Sequence, residues 1–328
     1  MKNYYGLIGG YATNSQEGIF SFNLKDSKLD NIKLKAEINN PTYLCNNDRL
    51  FSVCSKDEMG GIAMVNLISK NNPIIDSNLS EGRQPCYISI DPRKKFIFSS
   101  NYHTGEIKLY SYTSNKINLL DTFKGNENSK MHFVSSIPKT NKGIAIDLGN
   151  DEIIIFDYAY EISKDISKSI KLKSGCGPRH LVFHPSMKFI FVFTEYSNEV
   201  ITIELTSELE LKVISYTKSL PEGFEGESSG AAIRISNDGN YIFVSNRGHN
   251  SIGVLEFNED NKSLTLKDNF STFGDHPRDF NLTPDDNYLV IANTFSNSLT
   301  TYAHNLHGGL TLLEKDIAIN KPTSILFL

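Results

Sequence analysis

The stretch Pro178–Leu205, PRHLVFHPSMKFIFVFTEYSNEVITIEL, reads as strand, tight turn, strand, short loop, strand. Aromatic and β-branched residues fill its strands, and His184-Pro185 breaks the first from the second. The same order of elements recurs outward in both directions. PCYISIDPRKKFIFSSNYHTGEIKLY starts at Pro85 and MHFVSSIPKTNKGIAIDLGNDEIIIF at Met131. GAAIRISNDGNYIFVSNRGHNSIGVL starts at Gly230, and PRDFNLTPDDNYLVIANTFSNSLTTY at Pro277. A shorter version begins at Pro41, and PTSILFL begins at Pro322 and runs out of chain. The spacings between these starts are 44, 46, 47, 52, 47 and 45 residues. Each unit is the length of one four-stranded propeller blade, about 40–50 residues.

Seven units therefore predict an all-β, seven-bladed β-propeller occupying residues 1–328 as a single domain. The seventh unit holds only its first strand. Its missing strands are expected from the other end of the chain, where YYGLIGGYATNSQEGIFSFNL (Tyr4–Leu24) reads as strand, loop, strand. A ring joined in this way hides its sheet edges. An open β-sandwich would leave the period unexplained. The turn chemistry agrees: Asp91-Pro92, His184-Pro185, Asn237-Asp238-Gly239 and Thr283-Pro284-Asp285-Asp286 all fall between first and second strands.

Composition excludes several function classes. The net charge of −5 is spread along the chain without a basic run, so neither nucleic acid nor an anionic membrane is an expected partner. Cys45, Cys54, Cys86 and Cys176 form no CxxC pair and are expected to be small core residues in a reducing compartment. The opening MKNYYGLIGGYATNS lacks an apolar signal-like run, which predicts a cytoplasmic protein. His180 and His184 are four apart, but a strand does not give them a helix's ligand geometry. No metal or cofactor is expected.

In a blade, the start of the first strand and the end of the second meet on one face of the disc. The first-strand starts offer Thr42, Cys86, His132, Arg179, Ala231, Arg278 and Thr323. The second-strand ends offer Asn101, Asp147, Glu195, Asn246 with Arg247, and Asn293. Arg179 and Glu195 are symmetric about their turn and should be near cross-strand neighbours, as should His132 with Asp147 and Arg278 with Asn293. His276, just before Pro277, is placed at the rim. Three arginines imply an anionic ligand, and a nearby His and Glu suit proton transfer. The competing reading makes these pairs inter-blade ties. His180 should point away from Arg179. The loop PEGFEGESSG (Pro221–Gly230), with Glu222, Glu225 and Glu227, explains the long 52-residue spacing and reads equally as a lid or a solvated insertion.

Several of these stretches resemble a known family, the seven-bladed β-propeller lactonases of the bacterial 6-phosphogluconolactonase type. The matching segments are GGYATNSQEGIFSF, PTYL at 41, NYHTG at 101, His132 with DLGND at 147, GPRHLVFHP at 177, SNRGHNSI at 245 and HPRDF at 276. The resemblance covers essentially the whole chain. It implies catalytic roles for His132, Arg179, Glu195 and Arg247, while the strand-end reading places Asn101, Asp147, Asn246, His276, Arg278 and Asn293 around the substrate. It implies hydrolysis of a small anionic substrate, a phosphosugar lactone, without a metal. Related members lactonise carboxymuconate, so a cycloisomerase is the second expectation and a non-catalytic binding module the third. Two positions depart from the family: VCSKD around Cys54, where a Glu is usual, and Asn293-Thr294, where AsnGln is common.

Overall fold

The turns between first and second strands are built to one plan in the computed structural model of the chain. In each of His184–Met187, Ser236–Gly239 and Thr283–Asp286 the last N–H donates to the first carbonyl, at 2.8, 2.9 and 2.9 Å. The last residue takes a left-handed φ of 60°, 81° or 60°. Only glycine adopts that conformation without cost. At Gly239 a second constraint acts, because a Cβ there would lie 2.2 Å from the His184 ring. The His184 ring is buried beside Phe189, Phe191 and Phe257. Gly239→Ala is therefore expected to destabilise the protein by roughly 2 kcal/mol in chemical denaturation. Combining it with His184→Ala should cost less than the sum of the two.

The structure describes residues 2–12, 18–69, 72–91, 93, 96–305 and 307–328. Pro92 of the expected Asp91-Pro92 turn lies outside them, as do residues 13–17 of the expected loop between the first two strands. Among the described residues there are seven four-stranded sheets and no α-helix. Blade one comprises Leu44–Asn46, Leu50–Lys56, Met59–Val65 and Ile74–Glu81. Blades two to six begin with the first strands Tyr87–Asp91, Met131–Ser136, Pro178–Phe183, Ser229–Ile235 and Pro277–Leu282. Within each, consecutive strands pair antiparallel. The seventh sheet has the order Pro322–Phe327, Asn3–Gly10, Ile19–Lys25, Lys28–Ala36, so strands from both ends of the chain share one blade. The fold is the seven-bladed β-propeller that the repeat predicts.

The chain packs as two compact units. One holds Ser174–Phe327 with Phe22–Ile32 and the residues up to Gly6, and the other holds Leu7–Ser21 and Lys33–Lys173. Blades four to six belong to the first and blades one to three to the second. In both units the apolar core lies between blades. Phe243, Ile252 and Val254 of blade five meet Phe280, Leu289 and Ile291 of blade six. Phe98, Ile107 and Leu109 of blade two meet Val134, Ala145 and Ile154 of blade three. These residues alternate along their strands, so one set packs toward each neighbouring blade.

Cys54 and Cys176 are buried in the core as expected, whereas Cys45 and Cys86 are half-buried. Burial pushes the Cys54 thiol up to about 12 and raises Cys45 as well, which makes both unreactive near neutral pH.

Candidate active site

The first strands of blades three, four and six share an irregularity that alternation alone does not predict. Pro178 pairs with Thr194 and His180 with Phe193, leaving Arg179 as an extra residue in the register. His132 is the extra residue in blade three, between Met131 and Phe133, and Arg278 in blade six, between Pro277 and Asp279. Blade five carries its own shift across Ala231 and Ala232. A bulge re-aims the extra side chain relative to the strand's two faces. It also corrects one expectation: His180 does not turn away from Arg179. Arg179 Nη1 lies 3.2 Å from His180 Nε2. A guanidinium only donates, so the ring meets it with an unprotonated nitrogen.

Arg179 is 2 % exposed. Its Nε donates to Glu195 Oε2 at 3.0 Å and its Nη1 to the Ala231 carbonyl at 2.7 Å. Arg247, at the end of the second strand of blade five, places Nη2 3.3 Å from the same Glu195 oxygen and donates to the Gly230 carbonyl at 2.6 Å. The Glu195 backbone ties the arrangement together. Its N–H donates to the Gly177 carbonyl and its carbonyl accepts from the Gly230 N–H, at 2.6 and 3.0 Å. Blade five can approach this closely because residue 230 is glycine; a Cβ there would lie 2.1 Å from the Thr194 carbonyl oxygen. Burial pushes the Glu195 carboxyl up, but Arg179, Arg247 and Arg278 outweigh it and hold the group below the ordinary glutamate value. Two guanidinia on one carboxylate leave positive charge to spare.

That charge faces a cleft of about 540 Å³ lined by Gly226, Glu227, Ser228, Ser229, Arg247, Gly248 and His276. The loop Pro221–Gly230 therefore forms one wall of it, and Phe224 anchors the loop edge-on against His249, ring centres 4.7 Å apart. His276 reaches the rim as its position before Pro277 suggests.

Four expected substrate contacts sit differently. Asn246 and Asn293 are fully buried. Asn246 donates to the Ser219 carbonyl at 3.2 Å and accepts from the Ser219 hydroxyl at 2.8 Å. Asn293 donates to the Thr272 carbonyl at 3.2 Å and to Thr300 Oγ1 at 3.1 Å. Asp147 accepts from the N–H groups of Lys130, Gly149 and Asn150 at 2.9–3.2 Å. Asn101 accepts from the N–H groups of His103 and Thr104 and donates to the Arg83 carbonyl. All four hold turns and neighbouring backbone, as the inter-blade reading has it. Thr294 does likewise, donating to the Pro322 carbonyl at 2.7 Å, and Ser55 accepts from Asn40 at 2.9 Å. His132 is 4 % exposed, its ring edge-on to Tyr102 at 6.0 Å. Sequence reasoning missed the pair of half-buried Arg234 and buried Asp279, 2.7 Å apart, and the exposed rings Tyr196 and Phe295 beside the site residues. The rings follow Glu195 and Thr294 directly, which was their only signal.

Residues 5–327 match the family described as "Lactonase, 7-bladed beta-propeller". The chain belongs to this lactonase family. It is 34 % identical to the 6-phosphogluconolactonase of Bacillus subtilis, over 100 % of this chain and 99 % of that one. Among solved structures, a Lactobacillus plantarum protein superposes with a TM-score of 0.93 at 29 % identity, each chain covered in full. The periplasmic gluconolactonase of Pseudomonas aeruginosa superposes at 0.88, covering 100 % of this chain and 99 % of that one, and at 21 % identity shares the fold alone. In the lactonase context, an arginine cluster clamped by one carboxylate beside an open cleft is a place where an oxyanion or a bound anion can be stabilised.

Proposed function

We propose that the protein hydrolyses a phosphorylated sugar lactone, 6-phosphogluconolactone, to 6-phosphogluconate in the cytoplasm, as a step of the pentose phosphate pathway. The observation that carries this reading is the buried Arg179–Glu195–Arg247 clamp beside the cleft. The 6-phosphogluconolactonase relative supports the choice of substrate.

In this reading Arg247 and Arg278 hold the phosphate, and Arg179 favours the negative charge that develops on the lactone carbonyl oxygen. A side-chain base takes a proton from water. The hydroxide adds to the carbonyl carbon, and the acyl carbon–ring oxygen bond then breaks. The ring oxygen receives the proton as a hydroxyl, and the new carboxyl group gives its remaining proton to solvent and becomes a carboxylate. Glu195 orients the two guanidinia; a carboxylate held below its ordinary value by arginines is a weak base. His276, Asn246 and Asn293 support the bound substrate, the last two by fixing the turns.

The test is hydrolysis of freshly made 6-phosphogluconolactone, corrected for the spontaneous rate, with and without a chelator. Acceleration that survives chelation is expected. A rate equal to buffer overturns the reading.

A further inference from the structure

His276 sits in a conformation that its surroundings impose. It is not glycine, yet its φ is 60°. Its N–H donates to Asn250 Oδ1 at 3.0 Å and its carbonyl accepts from the Thr294 N–H at 3.1 Å, so both peptide groups are held. Its ring stacks on Phe295, centres 4.0 Å apart and planes inclined by 22°. Phe295 itself is 61 % exposed, an apolar ring left at the surface with one face on the imidazole. The same left-handed turn precedes the first-strand prolines at Gly177 and Lys321, so the blade sets the backbone, whereas a ring clamped at a cleft by an exposed aromatic is a feature that folding alone does not require.

We propose that His276 is the proton-coupled anion ligand of this cleft: together with Arg247 it grips the anionic group of the substrate, and its imidazole takes one proton from solvent as the anion binds. Phe295 is the positioning residue that sets the ring. This rests on reading the cleft as the substrate's anion subsite.

The charges around the ring explain the coupling. Burial lowers the His276 imidazole to about 4, and Arg247, Arg278 and Arg179 add to the effect while Asp275 opposes it. Glu195 is bound to two of those arginines, and Glu227 also lines the cleft. The ring is thus neutral in the empty cleft near neutral pH. An arriving dianion offsets the arginine field and favours the imidazolium, which then adds a charge-assisted hydrogen bond. By linkage, affinity is highest where the free ring is already protonated. It falls by up to about tenfold per pH unit above that point, until the bound ring also deprotonates.

Inorganic sulfate is the appropriate probe, because a phosphate monoester titrates near pH 6 itself. Calorimetry on the wild-type protein is expected to show sulfate binding that weakens at least about tenfold from pH 5 to pH 7. His276→Gln should flatten that change to less than about twofold, and Phe295→Ala should reduce it while Phe295→Tyr restores it. His307→Gln, at an exposed turn, should leave it intact. The wild-type protein alone provides a second readout: imidazole NMR at pH 5.5 should show the His276 ring neutral without sulfate and protonated at saturation. Sulfate binding that is independent of pH, or a ring that stays neutral at saturation, overturns the proposal. A slope retained in His276→Gln overturns it too. An absence of sulfate binding at every pH overturns the anion subsite itself, and hydrolysis that fails while the sulfate results hold overturns only the enzymatic reading.

Discussion

Arg179→Ala is expected to lower kcat/KM toward 6-phosphogluconolactone about a thousandfold, the scale set by removing one donor aimed at a developing oxyanion. The variant also leaves the Ala231 carbonyl without its guanidinium donor and Glu195 with one arginine fewer. Breaking a buried ion pair on one side costs about 3–5 kcal/mol of stability, so activity must be measured on folded protein. Arg179→Met with Glu195→Gln separates the two effects. One arginine and the carboxylate leave together while Arg247 keeps its bonds to the Ser229 and Gly230 carbonyls, so stability should return in part while activity stays lost. Arg179→Lys should not rescue activity, because an ammonium lacks the planar fork that meets Glu195 and Ala231 at once. Wild-type activity in folded Arg179→Ala would overturn the assignment.

The pH behaviour of the clamp has a definite sign. The folded Glu195 carboxyl lies below its ordinary value of 4.5. Its contribution to stability is fully present above that value and is lost as the pH falls through the folded value. The Arg179→Met, Glu195→Gln variant should therefore lose less stability in acid than the wild-type protein does, as read by denaturant midpoints from pH 6 down to pH 3.

Deleting Pro322–Phe327 is expected to cost more than about 5 kcal/mol and leave the chain aggregated. It removes a whole strand from a sheet and bares the edge of Asn3–Gly10. Three specific bonds go with it. Thr294 loses the Pro322 carbonyl and Asn281 loses the Ile325 carbonyl. The Ile325 N–H no longer donates to Asp279, a carboxyl that burial already raises. Phe327 also leaves the edge-on contacts of its ring with Tyr4 and Phe22, at 6.4 and 5.5 Å. A circular permutant that links Leu328 to Lys2 and opens an exposed loop elsewhere should remain folded, because the seventh sheet keeps all its strands. A soluble truncated protein with wild-type unfolding cooperativity would show that closure does not hold the fold together.

Much of this architecture is legible along the chain because it repeats. Six spacings of 44–52 residues separate seven repeat starts, alternating apolar strands and Pro or Asx turns recur between them, and each is a local property of the residues that carry it. The half-empty last repeat even marked which ends must meet. The salt-bridged pair Arg179 and Glu195 was readable for the same reason, since hairpin symmetry places cross-strand partners by counting.

The sorting of the remaining polar residues was not readable. Asn101, Asp147, Asn246 and Asn293 look like site residues in sequence, but Asn101 and Asp147 cap their own turns, and Asn246 and Asn293 bond to groups of Ser219, Thr272 and Thr300 that packing brings near. The extra residue at His132, Arg179 and Arg278 shifts the register by one, and a shift of one changes which face a side chain serves. A period-2 pattern carries no mark of it. The same holds for His276: its neutral ring depends on arginines from blades four, five and six acting together. By itself, then, the sequence determined the seven blades, their closure and the residue types at one end of the strands. The tertiary structure decided which of those side chains are bound as ties and which face the cleft, because hydrogen-bond partners and electric fields come from segments tens of residues away.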